Sequence, residues 1–93
     1  MTREREPSMT TRLIVYERLG CHLCEDMVAT LAEWREELDI AIERVDVDRS
    51  KELAQRYGLR VPVLVCGDRE ICHFFLDLEA LREVLNESES RKR

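Results

Sequence analysis

Residues 13–24 read LIVYERLGCHLC. The apolar run at residues 13–16 favours a β-strand, and the apolar periodicity that follows Gly20 favours a helix. The two cysteines then lie one turn apart where this helix begins. Unpaired backbone N–H groups and the positive end of the helix dipole stabilise a thiolate at that position. We therefore predict that Cys21 is the nucleophile of a disulfide exchange and that Cys24 resolves the mixed disulfide.

A Cys-x-x-Cys pair serves both redox proteins and zinc sites, and the surrounding elements decide between them. The helix after the first strand has an apolar stripe, with Trp34 near its edge, made of Cys24, Met27, Val28, Leu31 and Leu38. Residues 40–47 predict a second strand. Asp48 or Ser50 can cap a short helix that ends at a left-handed Gly58. This order is a βαβα unit, which favours redox chemistry.

The second half of the chain predicts a β-hairpin and a last helix. Strands at residues 61–66 and 71–75 flank a turn at Gly67-Asp68, and such a short connection makes the two strands antiparallel. Asp77 then caps a helix whose buried face contains Leu78, Leu81, Val84 and Leu85.

Two further cysteines lie in this hairpin. A two-residue turn would pair Cys66 with Arg69 and place Cys72 on the opposite face of the sheet. Free cysteine is among the most buried residue types, so we predict that both are small core residues, with regulation or metal binding as the alternative. The alternation of faces makes His73 a surface or half-buried strand residue.

Composition narrows the class of protein. The chain has 93 residues, 44% of them hydrophobic, and a net charge of −5 with basic residues interleaved among acidic ones, so we expect one small domain that binds no nucleic acid. The charged N-terminus lacks the apolar segment of a signal peptide, and the apolar runs are too short for a bilayer. We therefore expect a cytoplasmic monomer without membrane contact, whose cysteines are catalytic or metal-binding rather than structural.

These elements resemble the glutaredoxins of the thioredoxin-fold superfamily over residues 12–85. The matching segments, in order, are Tyr16-x-x-x-x-Cys21-x-x-Cys24, Val45-Asp46-Val47-Asp48, Tyr57-Gly58 and Arg60-Val61-Pro62-Val63. The resemblance implies an α/β, thioredoxin-like fold with the order β-α-β-α-β-β-α and a four-stranded mixed sheet flanked by helices. We expect a glutaredoxin-like domain at residues 11–86, between a polar disordered head at 1–10 and a charged, solvated tail at 87–93.

The resemblance also assigns substrate-contacting residues. In that family a basic residue at the position of Arg18 contacts the glutathione carboxylate, and the proline at Pro62 forms a cis bond that faces the cysteines. An ordinary trans proline at a strand entrance is the alternative. Val61 would offer backbone hydrogen bonds to the bound chain. At the position of His22 the family commonly has proline. A protonated His22 would favour the thiolate form of Cys21. The alternative is an exposed histidine with little influence. Asp77 either contacts glutathione or is a structural cap.

One feature departs from the glutaredoxin pattern. The paired glycines that let glutathione approach the backbone before the last helix are absent, and Phe74-Phe75-Leu76 occupy that stretch. Bulky side chains there hinder close approach and disfavour positive backbone torsions. We therefore expect glutathione to bind weakly and a dithiol partner to be the better reductant.

These observations predict a small dithiol–disulfide oxidoreductase that reduces protein disulfides or glutathione mixed disulfides. It would hold no tightly bound cofactor and would be reduced by glutathione or a thioredoxin-reductase-type donor. The alternative is a metal-binding module. In that module Cys21 and Cys24 bind zinc with Cys66, Cys72 or His73, or Cys21 holds a glutathione-bridged iron–sulfur cluster between subunits. The spacing from Cys66 to Cys72 exceeds that of a zinc knuckle. An inactive binding domain is a third possibility, against which the intact cysteine pair argues.

Overall fold

The structure is a computed structural model that describes residues 10–92. Its helices and strands follow the predicted α/β order, with one additional 3₁₀ turn. They are β1 (Thr11–Glu17), α1 (His22–Leu38), β2 (Ile40–Asp46), the 3₁₀ turn (Val47–Arg49), α2 (Lys51–Tyr57), β3 (Val63–Cys66), β4 (Arg69–His73) and α3 (Leu78–Lys92).

The strand order in the sheet is β2-β1-β3-β4. β1 runs parallel to β2 and antiparallel to β3, and β3 runs antiparallel to β4. The ends of β1 and β4 and the start of β3 therefore meet at one edge of the sheet. We call this edge, with the loops at residues 18–21, 58–62 and 74–77, the cysteine edge.

Apolar side chains from the two faces of the sheet form two clusters. The larger cluster lies under α1 and α3 and contains Leu13, Val15, Met27, Leu31, Ile40, Leu64 and Leu81. The smaller cluster lies under α2 and contains Val47, Tyr57, Val63 and Val65. The predicted stripe of α1 is confirmed, because its buried residues are Cys24, Met27 and Leu31. The alternation of faces along the strands thus gives each side of the sheet its own core.

The predicted boundaries of three strands need correction. β2 ends at Asp46 rather than at Val47, because the Asp46 carboxylate accepts the N–H of Asp48 at 2.9 Å and starts the 3₁₀ turn. β3 begins only at Val63, and β4 spans residues 69–73 rather than 71–75. Phe74 ends β4 because it adopts a left-handed conformation, with φ of 67°.

The prediction that Gly58 has a left-handed conformation is wrong. Gly58 is right-handed, with φ of −56° and ψ of −33°. A side chain is excluded for another reason. A Cβ atom at this position would lie 2.4 Å from the carbonyl oxygen of Ala54 and 2.9 Å from Nη2 of Arg18. At the other end of α2 the predicted cap is confirmed, since Ser50 Oγ accepts the N–H of Leu53 at 3.0 Å.

The prediction that Cys66 and Cys72 lie on opposite faces of the sheet is also wrong. Cys66 does pair with Arg69, but a register shift follows, and Cys72 pairs with Leu64. This β-bulge brings Cys72 to the face of Cys66 and lets both Ile71 and Cys72 pack against the larger cluster. Both cysteines are half-buried free thiols there. Burial raises the pKa of the Cys72 thiol.

The two ends of the predicted domain are only partly described. Residues 1–9 of the predicted head lie outside the described residues, whereas the Thr10 hydroxyl donates to the Asp39 carboxylate at 3.2 Å. Asp77 caps α3 as predicted, because its carboxylate accepts the N–H of Ala80 at 3.0 Å. The α3 backbone continues to Lys92, into the predicted tail. None of the helices in the described part of the chain is long and apolar enough to cross a membrane.

Leu64 tests the contribution of the larger cluster. Leu64 lies in β3 with no exposed surface. Leu64→Ala is expected to lower the free energy of unfolding by about 2–5 kcal/mol, measured by urea denaturation, because it leaves a cavity. Leu59→Ala is the matched control, since the Leu59 side chain is 92% exposed; it should change the same quantity by less than about 0.5 kcal/mol. Equal effects of the two substitutions would contradict the assigned core.

Candidate active site

The cysteine pair lies where α1 begins. Cys21 is the N-cap of α1, and its Sγ accepts the backbone N–H of Cys24 at 3.1 Å. The two residues form a disulfide, with their Cα atoms 5.2 Å apart. Cys21 is half-buried, whereas Cys24 has no exposed surface. A partner molecule therefore reaches the sulfur of Cys21 more readily than that of Cys24.

A tight turn joins β1 to this helix. The backbone N–H of Cys21 donates to the carbonyl oxygen of Arg18 at 3.2 Å. Gly20 lies between them with φ of +78°, a conformation that glycine adopts without a steric penalty. The turn thus places Cys21 at the N-terminus of α1, four residues after the end of β1.

Arg18 connects this turn to the region of α2. Its Nε and Nη2 donate to the two carboxylate oxygens of Asp48, each at 3.1 Å, and Nη1 donates to the carbonyl oxygen of Gly58 at 3.2 Å. The predicted contact of Arg18 with a glutathione carboxylate stays a prediction. A ligand carboxylate would have to compete with Asp48 for the same guanidinium donors.

The Val61-Pro62 segment lies beside the turn. Val63, the next residue, pairs with Tyr16 near the end of β1. The Val61-Pro62 peptide bond is cis, which confirms the predicted isomer and excludes the trans alternative. That Pro62 faces the cysteines stays a prediction. Pro62 is fully buried, and its carbonyl oxygen accepts the N–H of Phe74 at 2.9 Å. Within the described part of the chain no backbone hydrogen bond involves Val61, so its peptide groups remain available to a bound chain.

The other two predicted substrate contacts lie at the starts of two helices. His22 is exposed as the first residue of α1. Asp77 is exposed at the start of α3, and one of its carboxylate oxygens already caps that helix. The structure confirms the capping role of Asp77, and the roles of both residues in substrate binding stay predictions.

An ion-pair network that the sequence did not reveal joins the sheet to α1. Arg44 in β2 donates to both carboxylate oxygens of Glu17, each at 2.9 Å, and to Glu25 at 3.1 Å. The hydrogen bond with Glu17 is the main reason why the pKa of Arg44 is raised. Glu25 lies in the first turn of α1, where its negative charge also interacts favourably with the positive end of the helix dipole. The network holds that turn against the ends of the two parallel strands.

Aromatic and charged residues cover the α2 side of the sheet. The rings of Tyr16 and Tyr57 stack with centroids 4.1 Å apart, and desolvation is the main reason why the pKa of Tyr16 is raised. Arg60 lies over the Tyr57 ring and pairs with Glu70, which also contacts the exposed ring of His73. The hydrogen bond from Arg60 lowers the pKa of Glu70. Among the described residues, no three His, Cys, Asp or Glu side chains come together as a metal site.

Exposed apolar side chains collect at the cysteine edge. Four large ones occur among the described residues, and we call them the apolar patch: Leu19 (87% exposed), Leu59 (92%), Phe74 (40%) and Phe75 (67%). Each lies in one of the three loops of the cysteine edge. A groove of about 350 Å³ continues from the patch along α1, with Leu23, Met27, Trp34, Phe75 and Leu76 in its wall.

Comparison with known proteins places this geometry in a family. The family model of the glutaredoxin-like domain (DUF836) matches residues 12–86. The solution NMR structure of protein Ne2328 from Nitrosomonas europaea is 37% identical and covers 90% of this chain and 98% of its own, with a TM-score of 0.75. The X-ray structure of protein XcR50 from X. campestris is 38% identical and covers 81% of this chain and 96% of its own, with a TM-score of 0.64.

A more distant likeness extends to a glutaredoxin. The solution structure of glutaredoxin from Brucella melitensis is 20% identical and covers 94% of this chain and 91% of its own, with a TM-score of 0.54. That likeness shows the fold, which is the predicted thioredoxin-like α/β fold with a four-stranded mixed sheet. No curated protein matches the chain significantly. The family model spans most of the chain, and the Cys21–Cys24 disulfide is consistent with thiol–disulfide redox chemistry. The chain therefore belongs to the glutaredoxin-like domain (DUF836) family of the thioredoxin-fold superfamily.

Proposed function

We propose that this protein is a dithiol–disulfide oxidoreductase that reduces disulfides of other proteins. The observation that carries the proposal is the placement of Cys21 as the N-cap of α1, with Cys24 buried one turn behind it. A helix N-terminus stabilises the thiolate that attacks a disulfide. Burial of the second sulfur makes it a poor first nucleophile for an external substrate, but it stays within bonding distance of Cys21.

The reaction is a pair of thiol–disulfide exchanges. The Cys21 thiolate attacks one sulfur of the substrate disulfide, forms a mixed disulfide, and releases the other substrate sulfur as a thiolate, which takes up a proton. The Cys24 thiolate then attacks Cys21, closes the internal disulfide and releases the second substrate thiol. Two electrons have passed to the substrate. A dithiol donor reverses the sequence and restores both cysteines.

The surface of the cysteine edge favours a polypeptide substrate. The apolar patch offers large side chains that a protein partner would cover, and burial of apolar surface favours association. Val61 adds peptide groups that a substrate strand could pair with. Glutathione is too small to cover side chains in all three loops. The patch and Val61 together support a protein rather than a small thiol as the principal substrate.

The segment before α3 supports a minor role for glutathione. Phe74 has positive φ despite its side chain, so the backbone takes the conformation that glycine normally provides. Its N–H, however, already donates to Pro62, and the Phe74 and Phe75 side chains add bulk to the surface of this segment. We propose that glutathione binds weakly for this reason and that a dithiol protein is the physiological reductant.

Separate serine substitutions test the roles of the two cysteines. Cys21→Ser is expected to reduce the rate of insulin disulfide reduction to the uncatalysed background, because the nucleophile is lost. Cys24→Ser should retain the attack and accumulate a mixed disulfide with insulin, visible as a higher-mass species by non-reducing mass spectrometry. The Cys66→Ser/Cys72→Ser double variant is the control and should keep the wild-type rate. A mixed disulfide in Cys21→Ser, or activity that depends on Cys66 or Cys72, would contradict the assignment.

Two residues of the apolar patch test the class of substrate. Leu59→Ser and Phe75→Ser are each expected to lower kcat/KM for insulin about tenfold, because a side chain covered by a partner contributes about 1–2 kcal/mol. Reduction by dithiothreitol, which needs no docking surface, should change less than about twofold. Ala41→Ser is the control, since Ala41 is exposed at the start of β2, away from the cysteine edge. Unchanged insulin kinetics in both patch variants would exclude a protein-docking role for the patch.

A further inference from the structure

We propose that Arg18 is a positioning residue that holds Cys21 in register with Cys24, and that its guanidinium acts through its contacts with Asp48 and Gly58 rather than through its charge. The inference goes beyond the proposed function, because it concerns the equilibrium between the dithiol and disulfide forms of this pair. It can therefore be tested whatever the natural substrate is.

The contacts of Arg18 run in two directions. Its backbone carbonyl accepts the N–H of Cys21, and its side chain makes three hydrogen bonds to Asp48 and Gly58. The planar fork of an arginine matches a carboxylate through two parallel hydrogen bonds, which fixes orientation as well as distance. One residue thus links the turn before α1 to the 3₁₀ turn and to the residue after α2. We call these contacts the Arg18 clamp.

The Arg18 clamp passes close to Gly58. A Cβ atom on Gly58 would clash first with the carbonyl oxygen of Ala54 and would also lie 2.9 Å from Nη2 of Arg18. The glycine therefore leaves the guanidinium room to approach the carbonyl oxygen of Gly58. The loop that begins at Gly58 leads to Val61-Pro62. The Arg18 clamp therefore also fixes the distance between the turn at residues 18–21 and the loop at residues 58–62, which precedes β3.

The physical effect of the Arg18 clamp differs between the two redox states. In the disulfide form the covalent bond already holds Cys21 at the start of α1. In the dithiol form that bond is absent, and Cys21 is held by its hydrogen bond with Glu25 in the helix and by the turn with its contacts. Without the Arg18 clamp the reduced turn gains conformational freedom, and closure of the disulfide must remove that freedom. Loss of the clamp should thus make disulfide formation less favourable.

A simple charge effect predicts the opposite sign. A positive charge near Cys21 stabilises its thiolate and so stabilises the dithiol form. Removal of that charge would make disulfide formation more favourable. In this structure the Arg18 charge is already paired with Asp48, and lysine would preserve the charge without the two-pronged geometry. The sign of the change and the behaviour of a lysine variant therefore separate the two accounts.

The test measures the equilibrium constant for disulfide formation in mixtures of reduced and oxidised dithiothreitol at neutral pH. Trapped thiols are counted by mass spectrometry in the wild type, Arg18→Met, Arg18→Lys and Arg12→Met. We expect both Arg18 variants to lower this constant threefold to tenfold, which raises the reduction potential by about 14 to 30 mV. Arg12→Met removes an ion pair with Glu43 at the opposite end of β1 and should leave the constant unchanged.

Asp48→Ala provides a second route to the same contact if Arg18→Met does not fold. It should lower the constant to a similar extent, and the double variant Arg18→Met/Asp48→Ala should resemble either single variant, because both remove one interaction. Three results would overturn the proposal: an increase in Arg18→Met, a wild-type value in Arg18→Lys, or no change in any of these variants. Failure of the wild type to reduce insulin would instead count against the proposed function and would leave this equilibrium measurable.

Discussion

Strand β1 forms hydrogen bonds on both of its edges, in parallel to β2 and antiparallel to β3, and the arrangement of the site depends on this placement. Because β3 runs against β1, its first residues meet the last residues of β1, and Tyr16 pairs with Val63. The turn that leads to Cys21 therefore begins at the end of β1, beside Pro62, which directly precedes β3. Leu13 and Val15 fix the register of β1, because a shift by one residue would move both from the core to the α2 side.

The order of elements could be predicted because each one is encoded by a local pattern. The apolar stripe of α1, the serine cap of α2 and the aspartate cap of α3 depend on residues within one or two turns of each other. The β-bulge in β4 could not be predicted in this way. No glycine or proline marks it, and it depends on the gain from packing Ile71 and Cys72 against the same cluster. Strict alternation of faces forbids that packing, so the sequence pattern pointed to the wrong face for Cys72.

The cysteine pair and Pro62 were likewise evident from short motifs, whereas the charged contacts around them were not. Arg18 and Asp48 are 30 residues apart, and Arg44 reaches Glu17 across 27. Many arginines and acids in this chain satisfy such spacings, and only the parallel register of β1 and β2 selects the partners. Gly58 shows the same limit. Its sequence context resembles a left-handed helix stop, whereas the close approach of the Ala54 carbonyl oxygen, and then of Arg18, explains the glycine. Local patterns thus predicted the reactive atoms, and the tertiary fold determined what holds them.

We propose that Cys21 and Cys24 exchange two electrons as a reversible dithiol–disulfide pair at the start of α1. The most direct measurement is a redox titration of the wild-type protein against reduced and oxidised dithiothreitol, with alkylated thiols located by peptide mass spectrometry. We expect a single two-electron transition confined to the peptide that carries residues 21 and 24, with Cys66 and Cys72 alkylated throughout. Retention of stoichiometric zinc or iron by these two cysteines in place of that transition would contradict it.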